Sequence, residues 1–207
     1  MKMLCDHLSR RPLWKAAGVD KVHGYWWKTL TSLHANMCVA LNAMIRGELS
    51  VPTWMVTCWT ILVPKTERAM ANPASYRPVT CLPVIYKIFT GLIAELMWHH
   101  IENYGILPVE QRGCVPGSLG CREQLLIDHM ILHNARTRQR NLSMAYIDFR
   151  KAYDSVSHGW IFAMLEIFKF HKNIVNTLRR CMAQWQTRMH VTSKYEIKFD
   201  DLASVHG

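Results

Sequence analysis

The segment from residue 82 to residue 104 constrains this chain most: its apolar part, residues 82–98, is broken only by Lys87 and Glu95 among charged residues. A bilayer span needs roughly 18 or more uninterrupted apolar residues. No stretch here reaches that length, and the longest unbroken run, residues 54–63, covers about half of it. The 82–104 segment must therefore be buried by its own chain, as a long core helix ended by Gly105 and Pro108. Half of the 207 residues are hydrophobic, and glycine and proline number only ten and eight, so the material for a core is present. Disordered, collagenous and low-complexity classes are excluded on the same ground. The opening residues, Met1-Lys2-Met3-Leu4-Cys5-Asp6-His7, contain no signal-peptide core. An intracellular chain is expected, cytoplasmic or nuclear, not secreted and with no membrane partner.

Around that helix the pattern alternates helices with a few strands. Residues 1–20 are basic and loosely patterned. Over residues 25–46 an apolar stripe (Trp26, Leu30, Leu33, Met37, Leu41, Met44) follows helical spacing, with Gly47 where a helix would stop. Residues 54–63, rich in β-branched and aromatic side chains, read as a buried strand, and 64–78 as a polar, basic loop. Glycines and a proline make 111–120 a loop, and 121–139 a helix whose closing arginines, Arg136, Arg138 and Arg140, suit a helix C-terminus. Residues 142–149 read as a strand, 160–170 and 174–185 as helices, and 189–199 alternates as a half-buried strand or hairpin. The expected class is α+β, dominated by helices, with a small antiparallel sheet. The chain stops soon after that last strand, an unusual place for a domain to end, so a truncated domain is expected.

Lysine and arginine total 25 against 15 acidic residues, a formal charge of +10. Such an excess favours a polyanionic partner, because neutralising phosphates releases counterions; a basic but otherwise ordinary enzyme would show the same composition. The seven cysteines are irregularly spaced without a C-x-x-C pair, which points to reduced thiols. Cys114, Cys121, His129 and His133 raise the question of zinc, since the histidines stand i, i+4. Six residues separate the cysteines, however, where zinc sites use two to four, so ordinary buried thiols and a half-exposed histidine pair are expected.

The chemistry concentrates in Met144-Ala145-Tyr146-Ile147-Asp148-Phe149-Arg150-Lys151-Ala152-Tyr153-Asp154-Ser155-Val156. Asp148 closes an otherwise apolar strand, and a carboxylate there is costly unless it meets a cation or a hydrogen-bond donor. It could equally cap the following turn, with Ser155 and Ser157 as alternative caps for the next helix.

This stretch resembles motif A of reverse transcriptases of non-LTR retrotransposons and group II intron maturases: a hydrophobic strand, Asp, three residues, Ala, an aromatic, Asp and a small residue. Asp148, Ala152, Tyr153, Asp154 and Ser155 fill each position. Ser75-Tyr76-Arg77-Pro78-Val79-Thr80-Cys81-Leu82 with Tyr86-Lys87, preceded by Val63-Pro64-Lys65, resembles an upstream block of the family. Gln111-Arg112-Gly113-Cys114-Val115-Pro116-Gly117 with Gln124-Leu125 resembles the next, and Ala17-Gly18-Val19-Asp20 the element that opens the domain. Trp160 after Ser157-His158-Gly159 is similar to the non-LTR branch. The resemblance implies a partial right-hand polymerase fold: an extension over 1–24, a fingers-like region over 25–140 and an incomplete palm over 141–207. It implies RNA-directed DNA synthesis from an RNA template, a DNA primer and dNTPs, with two Mg²⁺ (or Mn²⁺) ions, one held by Asp148 and the backbone carbonyl of Phe149. Lys65 and Arg77 would grip the triphosphate, Tyr153 would stack under the sugar, and Gly18, Asp20, Gln111 and Gly113 would contact nucleic acid.

The sequence also departs from the family. Motif B ("QG---SP") and the paired carboxylates of motif C are absent, and Phe199-Asp200-Asp201 lacks the residue that should separate aromatic and acid, so it reads as a turn after a strand. The opening element is degraded to Gly-Val-Asp-Lys. The expectation is a fragment inactive on its own, with a non-catalytic RNA-binding remnant or a pseudogene-derived polypeptide as the alternatives. The truncated palm face would be open to self-association.

Overall fold

The computed structural model describes residues 1–65, 75–149, 151–191 and 202–204. It divides into two compact units, residues 1–98 with 158–207, and residues 99–157.

In the first unit the helices are α1 (Lys2–Ser9), α2 (Gly24–Thr29), α3 (His34–Arg46) and α4 (Thr53–Val56). They are followed by α5 (Val84–Tyr104), whose last turns belong to the second unit, and then by α7 (His158–Ile167) and α8 (Lys172–Ala183). Ile88 and Phe89 of α5 are fully buried, in a core completed by Leu4 and Leu8 of α1, Met37, Leu41 and Met44 of α3, and Cys181 of α8. Both charges that interrupt the apolar segment anchor the chain's first residues. Glu95 accepts from Arg10 at 2.7 Å and meets His7 Nδ1 at 2.7 Å, and the Lys87 ammonium donates to the Ala16 carbonyl. Residues 1–20 are thus better ordered than their composition suggested, because Leu4 and Leu8 stand i, i+4 on α1 and seal one side of the core.

The helix expected over 25–46 is interrupted by a 3-10 turn, Thr31–Leu33. Only the later half of its apolar stripe reaches the core; Trp26, Leu30 and Leu33 stay exposed. Gly47 ends α3 with φ 84°, a left-handed cap that costs glycine no Cβ clash.

Four strands form one sheet in the order β2-β1-β3-β4: β1 (Thr57–Pro64), β2 (Tyr76–Cys81), β3 (Gln186–Val191) and β4 (Leu202–Ser204). The expected antiparallel sheet is in fact mixed, since β3 runs parallel to β1 while β2 and β4 are antiparallel to their neighbours. Parallel pairing needs a long crossover, and the chain between residues 65 and 185 supplies it. A hydroxyl ladder, buried at Thr60 and Thr187, ties three strands together, with Thr60 Oγ1 2.9 Å from Thr80 Oγ1 and 2.6 Å from Thr187 Oγ1.

The second unit holds the end of α5, a run of turns, and α6 (Cys121–Thr137), on which no residue is buried. The strand expected over 142–149 is not there: these residues are irregular and exposed. A strand is stable only when its backbone groups find a ladder, and β1 and β3 take each other as partners, leaving this segment none among the described residues. Among the described residues no helix is long and apolar enough to cross a membrane.

Candidate functional site

The β1–β2 hairpin brings two of the expected phosphate-gripping residues together. Val63 pairs with Arg77 and Pro64 with Tyr76, and the Lys65 amide donates to the Ser75 carbonyl at 2.8 Å. Because paired residues share a face, Arg77 sits beside Val63, whose side chain is exposed, as are those of Arg77 and Val79. Pro78 can stand inside this strand because β2 is at the sheet edge, where a missing N–H breaks no ladder bond on the open side. The hairpin thus presents two cations on a solvated surface, backed on its opposite face by the threonine ladder.

Gly18 and Asp20 belong to a tight turn packed on the entry to α5. The Lys21 amide donates to the Gly18 carbonyl at 3.0 Å, and Asp20 Oδ1 accepts from the Val22 amide at 3.3 Å. A Cβ on Gly18 would lie 2.3 Å from Pro83 N, so only glycine permits this approach. Asp20 Oδ2 is buried with no hydrogen-bond partner among the described residues.

In the second unit, Gln111 donates to the Gly113 carbonyl at 2.9 Å, and Gln124 donates to the Glu110 carbonyl at 3.2 Å. Arg112 pairs with Glu123 at 3.3 Å, fastening the same loop to the first turn of α6. Gln111 and Gly113 are therefore placed by contacts inside their own loop.

Asp148 and Phe149 follow Ile147 in the irregular segment, all three exposed, and Tyr153 is 86% exposed. A turn comes next, in which the Ser155 amide donates to the Lys151 carbonyl at 3.0 Å and the Ser155 hydroxyl to the Ala152 carbonyl at 2.9 Å. Ser155 is therefore held within this turn, rather than capping the following helix as its position suggested. The Asp148 carboxylate and Phe149 carbonyl are oxygen donors of the kind a hard divalent cation prefers. Among the described residues, however, no group of three or more His, Cys, Asp or Glu side chains converges, so the ligand set is incomplete. Cys114, Cys121, His129 and His133 form no cluster either, and all four are exposed, which corrects the expectation of buried thiols. All seven cysteines are free thiols, as their spacing suggested. Asp200 and Asp201 lie outside the described residues.

Sequence reasoning gave no role to Tyr86 beyond its place in a motif. Its hydroxyl accepts from Trp185 Nε1 at 2.8 Å, joining α5 to the residue between α8 and β3. Burial pushes the phenol up to about 12, and the Cys181 thiol is raised by burial as well. At the N-terminus, Arg11 is lowered by desolvation, with Glu95 opposing that shift.

Comparison with known proteins converges on one family. The family model described as "Reverse transcriptase (RNA-dependent DNA polymerase)" matches residues 63–199. The chain is 27% identical over 177 residues to the "Retrovirus-related Pol polyprotein from type-1 retrotransposable element R2" of Nasonia vitripennis, covering 85% of this chain and 16% of that protein. Over 120 residues it is 29% identical to the "Probable RNA-directed DNA polymerase from transposon X-element" of Drosophila melanogaster, covering 58% and 13%. Over 165 residues it is 26% identical to the corresponding protein "from transposon BS" of the same fly, covering 79% and 18%. The chain thus spans less than a fifth of the length of each of these relatives.

Proposed function

The chain belongs to the reverse transcriptase (RNA-dependent DNA polymerase) family, and from that premise we propose that it is the fingers and first palm part of a non-LTR retrotransposon polymerase. In its longer form such a protein would copy an RNA template onto a DNA primer with dNTPs. The observation that carries this reading is the family match over residues 63–199, which takes in Lys65 and Arg77 on one hairpin and the motif A residues Asp148 and Tyr153.

Two cations on a rigid edge hairpin suit a triphosphate, since Arg offers a planar, permanently charged fork and Lys a compact point charge. Asp148 and the Phe149 carbonyl are the oxygen donors assigned to Mg²⁺ or Mn²⁺, which in this family supplies Lewis-acid activation of the primer hydroxyl and the leaving pyrophosphate. The further carboxylates such chemistry requires are the motif C pair that the sequence lacks. We therefore assign the 1–207 chain no DNA synthesis of its own. Gly18, Asp20, Gln111 and Gly113 remain assigned to nucleic-acid contact through the loops they shape.

Primer extension tests the assignment. The chain alone should extend nothing, a chimaera carrying motifs B and C from a full-length relative should extend a primer, and Asp148→Ala in that chimaera should abolish it. Loss of a charge at the reacting centre costs roughly three orders of magnitude in rate. Robust extension by the 1–207 chain would overturn the reading. One observation favours a second reading, non-catalytic RNA binding: the Asp148 segment stands outside the sheet.

A further inference from the structure

We propose that the junction of α3, α7 and α8 is a second, separate nucleic-acid surface that binds the phosphodiester backbone of a single RNA strand. This rests on the reverse transcriptase reading for the choice of polyanion, but none of its residues belongs to the motif blocks above.

Two cavities meet here. One, of about 830 Å³, lies over the turn between α7 and α8 and is lined by Lys169, Lys172, Asn173 and Asn176, with Glu166 at its edge. The other, of about 280 Å³, is lined by Arg46, Gly47, Arg179 and Arg180 and by the same two asparagines. The shared asparagines make them one continuous depression.

Five cations face it. Arg46 pairs with Glu48 at 2.7 Å and Arg179 with Glu166 at 3.0 Å, which leaves three positive charges unbalanced. Arg180 is held rigidly, donating to the Met44 carbonyl at 2.8 Å and to Thr177 Oγ1 at 3.1 Å, while its Nε has no acceptor among the described residues. A Cβ at residue 47 would lie 3.0 Å from Arg180 Nη1, so the glycine leaves the outer edge of that guanidinium uncrowded. Lys169 occupies the left-handed region at φ 56° in the turn that opens the larger cavity.

Lys172, Asn176, Arg179 and Arg180 follow helical spacing on α8, and the stripe from 172 to 180 is about 12 Å long at 1.5 Å per residue. The roughly 3.4 Å axial spacing of phosphates on one strand of a duplex is a lower bound for a free single strand, so the stripe spans no more than about three phosphate intervals. Lys172 and Arg180 stand at its two ends and Lys169 in the turn before it, which spreads the three surplus charges along that path. The amides of Asn173 and Asn176 add neutral donors between the cations, suited to phosphate oxygens and carrying no base preference.

The test is fluorescence anisotropy with a labelled oligouridylate of about 20 nucleotides, titrated between about 50 and 200 mM KCl. The full chain is compared with Lys169→Asn/Lys172→Gln, both exposed, with circular dichroism as the check on folding. Asparagine is chosen at 169 because it tolerates the left-handed region. The slope of log affinity against log salt should fall by about 1.4, near 0.7 for each phosphate that is no longer neutralised, and binding at about 100 mM should weaken about tenfold or more. Lys172→Gln alone, the second variant, should lower the slope by about 0.7. Wild-type binding with an unchanged slope in both variants overturns this surface and leaves the family assignment standing. No RNA binding by the wild type overturns both the surface and the RNA-binding part of that assignment. Wild-type capture of polyglutamate that competes with the oligouridylate at equal charge, and is abolished in the variants, would make the face an acidic-protein site and overturn the proposal.

Discussion

Tyr86→Phe removes a hydroxyl that links elements far apart in the chain. The phenol is 3% exposed and accepts from Trp185 Nε1 at 2.8 Å, across 99 positions of sequence. Phenylalanine keeps the ring and removes the hydroxyl, which also bears on the Cys181 thiol, leaving a part-buried indole N–H without its partner. Stranding such a donor costs about 1–3 kcal/mol, and water reaching the half-exposed Trp185 places the expected loss near 1–2 kcal/mol. The same phenol gives the effect a pH signature. Its folded value of about 12 lies above the ordinary 10, so the unfolded chain surrenders the proton first. The contribution is whole below about pH 10 and is lost as pH rises to about 12; at 1.36 kcal/mol per unit, discounted for partial solvation, that is at most about 2 kcal/mol. Urea unfolding followed by far-ultraviolet circular dichroism, repeated from neutral to alkaline pH, should show the variant less stable at pH 7. The gap should close as the wild type loses its neutral phenol. A gap below about 0.5 kcal/mol at neutral pH, or one that does not change with pH, would refute the reasoning.

Gly18→Ala should destabilise by roughly 1–3 kcal/mol, because the new methyl would press on the Pro83 backbone 2.3 Å away; a midpoint equal to wild type in urea would show that the turn relaxes freely. Phe89→Ala, at a fully buried position of α5, should cost about 3–5 kcal/mol by calorimetry, and less than about 1 would place the core elsewhere. In a chimaera that synthesises DNA, Lys65→Ala with Arg77→Ala should raise KM for dNTP about tenfold or more while sparing primer binding. An unchanged KM would remove the hairpin from the triphosphate site.

The sequence alone determined a good deal. Apolar periodicity and the placement of glycines located α5, α6, α7, α8 and the C-terminal end of α3 closely, since a helix makes its hydrogen bonds within itself and needs little from outside. The motif spacing named the family, because chemistry fixes residue types at fixed intervals whatever the surroundings. Other features depended on partners distant in the chain. Residues 142–149 look like a strand, but a strand exists only in a ladder, and which strands pair is settled by the whole fold; here β3 lies against β1. Trp26, Leu30 and Leu33 continue the stripe of α3 in sequence yet remain outside, because the 3-10 turn rotates them off the face that meets α5. Lys87 and Glu95 read as interruptions of an apolar segment until α1 and Ala16 supplied their partners. The basic depression between α3, α7 and α8 was invisible for the same reason: its cations are separated by more than a hundred residues, and only packing of α8 on α3 gathers them.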